Sequence, residues 1–157
     1  MRIKEKESVD EMAIKQFGEK IEGIAYTLRV GIHLIVLNPT HDKILLVSPP
    51  NGSYLLPGGE RERNETHVET LEREAMEELG FEIKVGEYIG EADEYYYSSH
   101  RKRYYHNPAH FYVATSWSRV SEPLEDFNTL KWTTIPEAIS LLKRGSHRWA
   151  VEQFAQR

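Results

Sequence analysis

The chain has 157 residues, 39% of them hydrophobic, and a formal net charge of −5. That length suits a single domain over residues 1–157 with a true core, and the acidic balance argues against a dedicated duplex-DNA binder, which relies on basic faces. Cysteine is absent, which excludes disulfides, thiol chemistry and cysteine zinc sites, and no apolar run of about 18 residues is available to cross a membrane. The N-terminal stretch lacks the apolar segment of a secretory signal, so a cytoplasmic location is expected.

Residues 1–20 are polar and read as an irregular lead or an edge element. Ile24 to Leu37 is rich in β-branched and aliphatic residues and predicts one long strand, bent at Gly31. Asn38 to Asp42 is a turn, and Lys43 to Ser48 is the returning strand. Pro49 to Gly52 turns again, and Tyr54 to Leu56 is a short strand leading into Pro57-Gly58-Gly59. Thr66 to Leu79 predicts a helix, with Asn64 or Thr66 as its cap and Gly80 ending it. Phe81 to Tyr97 holds one or two strands, and Tyr104 to Trp117 a further one after the polar loop 98–103. Thr129 to Thr133 is a short strand. Pro136 opens a helix that runs to Leu142, and a last helix spans His147 to Phe154 with Trp149, Ala150 and Phe154 buried. This order predicts an α/β fold with a mixed sheet between helices.

The helix over 66–79 carries the chemistry. At about 100° per residue, Val68, Leu71, Ala75 and Leu79 fall on one stripe that faces the core. Glu74 and Glu78 flank that stripe about 40° apart, with Glu77 about 100° from Glu78. Carboxylates this close repel one another, so a cation is expected among them. A set of oxygen donors points to magnesium (Mg2+), or manganese (Mn2+), rather than zinc. Such an ion suits an enzyme acting on phosphate esters or anhydrides. Arg73 can hold a carboxylate rotamer by hydrogen bonding, and Gly58 and Gly59 allow a tight turn whose carbonyl can face a metal.

Gly59, Glu65, Arg73, Glu74, Ala75, Glu77, Glu78, Gly80 and Phe81 together resemble the signature of the Nudix hydrolases, the MutT-like family: G-x5-E-x7-R-E-U-x-E-E-x-G-U, with U an aliphatic or bulky apolar residue. Ala75 is smaller than the usual aliphatic residue, a departure that concerns packing. Leu56-Pro57-Gly58-Gly59 resembles the family's usual entry, with Tyr54 where an aromatic commonly precedes it. The strict signature covers 23 of 157 residues. The resemblance implies an α/β/α sandwich around a mixed sheet, and metal-dependent hydrolysis of a pyrophosphate bond in a nucleoside diphosphate linked to another group X. It implies Glu74, Glu77 and Glu78 as metal ligands or base, the Gly58 carbonyl as a possible ligand, Arg73 as the residue that orients the glutamates, and Glu65 as a structural or water-mediated partner. It also implies a further loop acid after the central strands, for which Glu122 is the first choice and Glu125 the second.

Residues 91–106 set aromatic strands around His100, Arg101, Lys102 and Arg103. They can form a base-stacking wall with a basic lip, or merely pack a sheet and solvate a hairpin tip. Period-2 alternation separates Tyr95 and Tyr97 from Tyr96; the first two, with Arg101 and Arg103, are taken as substrate-binding candidates. Arg29 and His33 share one side of the first long strand, where Arg29 can meet substrate phosphates. His147 reads as an ordinary surface histidine without a role. The expected partner is a small nucleotide-type phosphate substrate. A nucleoside triphosphate or related nucleotide leads. The alternatives are a nucleotide-sugar or ADP-ribose pyrophosphatase, an RNA 5′-end pyrophosphohydrolase, a nucleotide-sensing domain without catalysis, and a structural or interaction domain. Oligomeric state is open.

Overall fold

The structure, a computed structural model, describes residues 13–50 and 52–157. Most of the expected polar lead, and Asn51 of the second turn, lie outside the described residues. Lys15–Phe17 (β1) does form an edge element: it pairs in parallel with the first half of a long hairpin.

That hairpin is the spine of the molecule. Phe81–Ser98 (β6) and Arg103–Arg119 (β7) run antiparallel over most of their length, with register shifts between Lys84 and Gly90. Gly31–Val36 (β3) lies parallel to β7, and Gly58–Glu60 (β5) lies antiparallel to β3. The six-stranded mixed sheet therefore runs β1-β6-β7-β3-β5, with Thr27–Leu28 (β2) also paired to β7. Ile44–Ser48 (β4) pairs with Thr129–Thr133 (β8) in a separate two-stranded sheet.

Two features differ from the sequence expectation for physical reasons. The strand expected over 24–37 is interrupted at Arg29 and Val30, although β2 and β3 keep the same offset against β7. The Asn107 side-chain amide donates to the Arg29 carbonyl at 2.6 Å, taking an acceptor that a continuous ladder would use. The strand expected at Tyr54–Leu56 is reduced to isolated bridges, and the strand begins at Gly58 instead. Pro57 has no N–H to give a ladder, yet its carbonyl accepts from Leu34 N–H at 2.8 Å.

His67–Leu79 (α1) covers one face of the sheet. Thr66 caps it through a full capping box with Glu69. Gly80 ends it in the left-handed conformation, φ 71°, and a Cβ there would collide with the Ser121 carbonyl. Leu71, Ala75 and Leu79 pack with Ile32, Leu34, Val36, Phe81 and Ile83. Burying each leucine contributes roughly 2 kcal/mol. Val68 departs from the expected stripe. It is 43% exposed, and Thr70 is buried in the same turn, its hydroxyl donating to Glu65. Ile135–Leu141 (α2) and Gly145–Ala155 (α3) cover the opposite face, where Ala138, Ala150 and Val151 meet Ile35, Ala109 and Phe111. Trp149 and Phe154 pack partly buried beside this cluster. No described helix is long and apolar enough to cross a membrane.

Candidate active site

A cavity of about 420 Å³ opens between α1, the β5 entry, the loop after β7 and the start of α3. One of its walls is acidic. Glu74, Glu78 and Glu125 line it, with Glu60 and Glu62 nearer the rim. Gly59 lets the β5 strand lie directly against α1, because a Cβ there would collide with the Glu74 carboxylate. Glu78 accepts from the Gly58 N–H at 2.8 Å, which ties the helix to the strand.

Arg73 organises this wall. Its guanidinium grips Glu65 with two hydrogen bonds, 2.7 and 3.0 Å. It also reaches Glu74 at 3.0 Å, Glu77 at 3.3 Å and the Glu60 carbonyl at 3.0 Å. The charge-assisted bonds from Arg73, joined by the Glu62 N–H and the Thr70 hydroxyl, pull the Glu65 carboxyl down to about 2. Glu65 is therefore a fixed anion that anchors Arg73.

The two inner acids shift the other way. Burial raises Glu74 to about 7, reinforced by the neighbouring charges of Glu77 and Glu125 and opposed by Arg73. Burial also raises Glu78 well above the usual carboxylate range, with Glu74, Glu125 and Glu77 adding repulsion and the Gly58 N–H opposing. A protein wall that desolvates several carboxylates and sets them against one another calls for a cation.

The loop acid is not the first choice from sequence. Glu122 points away from the cavity, 85% exposed, and pairs with Arg119 at 2.6 Å. Glu125 lines the cavity because its N–H bonds to the Glu77 carbonyl at 2.8 Å, folding the loop back onto the end of α1. The β6–β7 hairpin gives a similar correction. Tyr96 lines the cavity, whereas Tyr95 and Tyr97 lie on the other face of the sheet. Tyr95 stacks on His106 with ring centres 4.5 Å apart, and Tyr97 packs on Tyr104. Strand alternation forces this division. Arg101 sits over Tyr105 outside the cavity, and Arg103 is exposed at the start of β7. Arg29 does line the cavity, with its guanidinium over Tyr105 and an ion pair to Glu60 at 3.3 Å.

His147 is the largest surprise. It is 2% exposed, not on the surface, and its ring meets that of His33 at 4.3 Å. The two rings hold one residue between them. The Leu56 N–H donates to His147 Nδ1 at 3.1 Å, and His33 Nδ1 donates to the Leu56 carbonyl at 3.2 Å. Both rings stay neutral. Burial lowers His33 to about 4 and His147 well below its usual value, and the nearby Arg29 and Arg144 charges push His33 further down. They clamp the segment that leads into Gly58. A histidine at the predicted start of α3 was visible in the sequence, but its partner in β3 lies more than a hundred residues away.

The acidic wall fits a hard divalent cation by its chemistry: oxygen donors, net negative charge and a nearby backbone turn at Gly58. Among the described residues, no three histidine or acidic side chains are arranged so as to hold a metal ion as they stand.

Comparison with known proteins agrees with this fold. The NUDIX domain family model matches residues 27–154. Nudix hydrolase 21, chloroplastic, of Arabidopsis thaliana is 31% identical over 117 residues, 73% of this chain, and the match spans 58% of that relative's length. Among solved structures, the MutT protein of Bacillus halodurans superposes with a TM-score of 0.62 at 26% identity, covering 79% of this chain and 80% of that one. The Escherichia coli dihydroneopterin triphosphate pyrophosphohydrolase superposes with a TM-score of 0.69 at 20% identity, covering 83% and 97%. The sequence signature, the mixed sheet between helices and these matches lead to one conclusion: the chain belongs to the Nudix family.

Proposed function

We propose that this protein is a magnesium- or manganese-dependent hydrolase that cleaves the pyrophosphate bond of a nucleoside diphosphate linked to another group. The observation that carries this reading is the acidic wall, where Glu74 and Glu78 are driven toward protonation and Glu125 joins them across the cavity. A domain without catalysis has no physical need for so many crowded acids.

Glu74, Glu77 and Glu78, with the Gly58 carbonyl, would hold the metal. When bound, the ion neutralises charge on the phosphate oxygens and lowers the pKa of water. The chain's own residues supply the rest. Arg73 fixes the Glu74 and Glu77 rotamers through the bonds described above, with Glu65 as its counter-anchor. Glu74 would serve either as a ligand of that ion or as the base that takes the proton from the attacking water. Glu125 replaces Glu122 as the loop acid of this reading. Arg29 meets substrate phosphate from the opposite wall, and Tyr96, not Tyr95 or Tyr97, offers the aromatic surface.

The test is a panel of nucleotides and nucleotide conjugates with magnesium or manganese, in which both products of each reaction are identified. Cleavage between two phosphorus atoms, abolished by chelator, supports the reading. Tight nucleotide binding with no cleavage of any member would turn it into a sensor.

A further inference from the structure

The reaction described above leaves one end of the cavity without a task. Arg144 lines the cavity just before α3, and its guanidinium carbon lies 3.3 Å from the centre of the Tyr96 ring. It is half-buried. Among the described residues it has no ion pair and no side-chain hydrogen bond. The buried Glu94 carboxylate, two residues before Tyr96 on the same strand face, accepts from Ser146 N–H at 3.0 Å and Ser146 Oγ at 2.8 Å. A guanidinium held over an aromatic ring can keep edge donors free for a planar or tetrahedral anion.

Arg29 lines the same cavity over a second tyrosine, and Asn107 lies beside it. Its one ion pair is to Glu60, about half exposed at the rim. Neither arginine pairs with Glu74, Glu78 or Glu125. The neutral ring of His33 stands close to both arginines and that of His147 close to Arg144, and neither adds charge. The cavity is thus polarised, with acids on α1 and in the loop after β7, and arginines on the β2–β3 connection and at the α3 start.

We propose that the substrate carries a further phosphate group remote from the scissile diphosphate, and that Arg144, with Arg29 over the tyrosine paired to Tyr96, binds that group. This rests on the hydrolase reading for its reaction and narrows the substrate class to conjugates that carry a phosphate monoester besides the diphosphate. Its binding step stands on the arginines alone.

Two measurements test it. The first compares cleavage of matched pairs that differ by one remote phosphate: NADH with NADPH, dephospho-coenzyme A with coenzyme A, and ADP-ribose with its terminal-ribose 1-phosphate. A charge-assisted phosphate contact predicts an advantage in kcat/KM of about tenfold for the phosphorylated member of at least one pair, reduced at least about fivefold in Arg144→Gln and partly kept in Arg144→Lys. Equal use of both members in every pair overturns the inference, as does an Arg144→Gln variant that keeps the same ratio. The second measures the thermal midpoint in rising inorganic phosphate without divalent metal, for wild type, Arg144→Gln and Arg144→Lys. Stabilisation of wild type that is lost in Arg144→Gln and partly kept in Arg144→Lys supports the site even if no nucleotide is cleaved, in which case only the hydrolase reading fails. No phosphate-dependent shift in wild type, or an equal shift in Arg144→Gln, overturns it.

Discussion

The two walls of the cavity are built in opposite ways. The acidic wall comes largely from one stretch of chain: Gly58, Gly59, Glu65, Arg73, Glu74, Glu77 and Glu78 lie within about a strand, a loop and a helix of one another. The basic wall is gathered from Arg29, His33, Tyr96, Asn107, Arg144 and His147, on the β2–β3 connection, β3, β6, β7 and the start of α3. A wall made by one helix can be read from spacing, because the helical period fixes which side chains share a side. A wall made by four segments exists only once the sheet register is set. The acidic wall also holds its charge at a cost in repulsion, whereas the histidines of the other wall are kept neutral.

Four substitutions or conditions separate the walls further, beginning with the largest effect. Glu78→Gln keeps side-chain volume and removes charge, so turnover should fall by about three orders of magnitude while circular dichroism and the thermal midpoint hold or rise. A near-wild-type rate would remove Glu78 from the chemistry. On the other wall, His147→Ala leaves the Leu56 N–H without its partner and opens a buried space beside Phe111, so denaturant unfolding should show a loss of about 3 kcal/mol. A loss below about 0.5 kcal/mol would show that the clamp contributes little.

The loop acids give a smaller and more discriminating result. Glu125→Gln should lower kcat by about tenfold, and Glu122→Gln by less than about twofold. Reversed outcomes would place the exposed Glu122 in the reaction. The smallest effect is in pH. His33 binds its proton near 4 when folded and near 6.5 when unfolded, so stability is complete above 6.5 and falls as pH drops toward 4. Between pH 6.5 and 5.5, chemical denaturation should show wild type losing about 1 kcal/mol more than His33→Gln, which can still donate to the Leu56 carbonyl but does not titrate. Parallel pH profiles would mean that His33 takes up its proton in the folded protein.

The limits of legibility follow from the same contrast. The helix from Thr66 to Gly80, with Thr66 as one of its two candidate caps, and its three glutamates were readable because each depends on residues near in sequence. The α/β architecture with a mixed sheet between helices was readable from the order of apolar runs. The choice between Glu122 and Glu125 was not, since it turns on where the loop bonds back to the Glu77 carbonyl after a left-handed Gly80. Alternation showed that Tyr96 and its neighbours must part, but not which set faces the cavity. His147 misled because a lone histidine at a helix start usually faces water, and its partner is fixed by packing of α3 on β3. Val68 misled because the first turn of α1 meets the sheet through His67, which bonds to the Tyr112 hydroxyl, and leaves the next position open.

The Leu56 peptide is latched on both its polar edges, by a ring from an interior strand and a ring from the final helix. A residue tied at both its N–H and its carbonyl has little freedom to shift, so the stretch entering Gly58 is an anvil, and Glu125 and Phe127 reach the same cavity from the loop after β7.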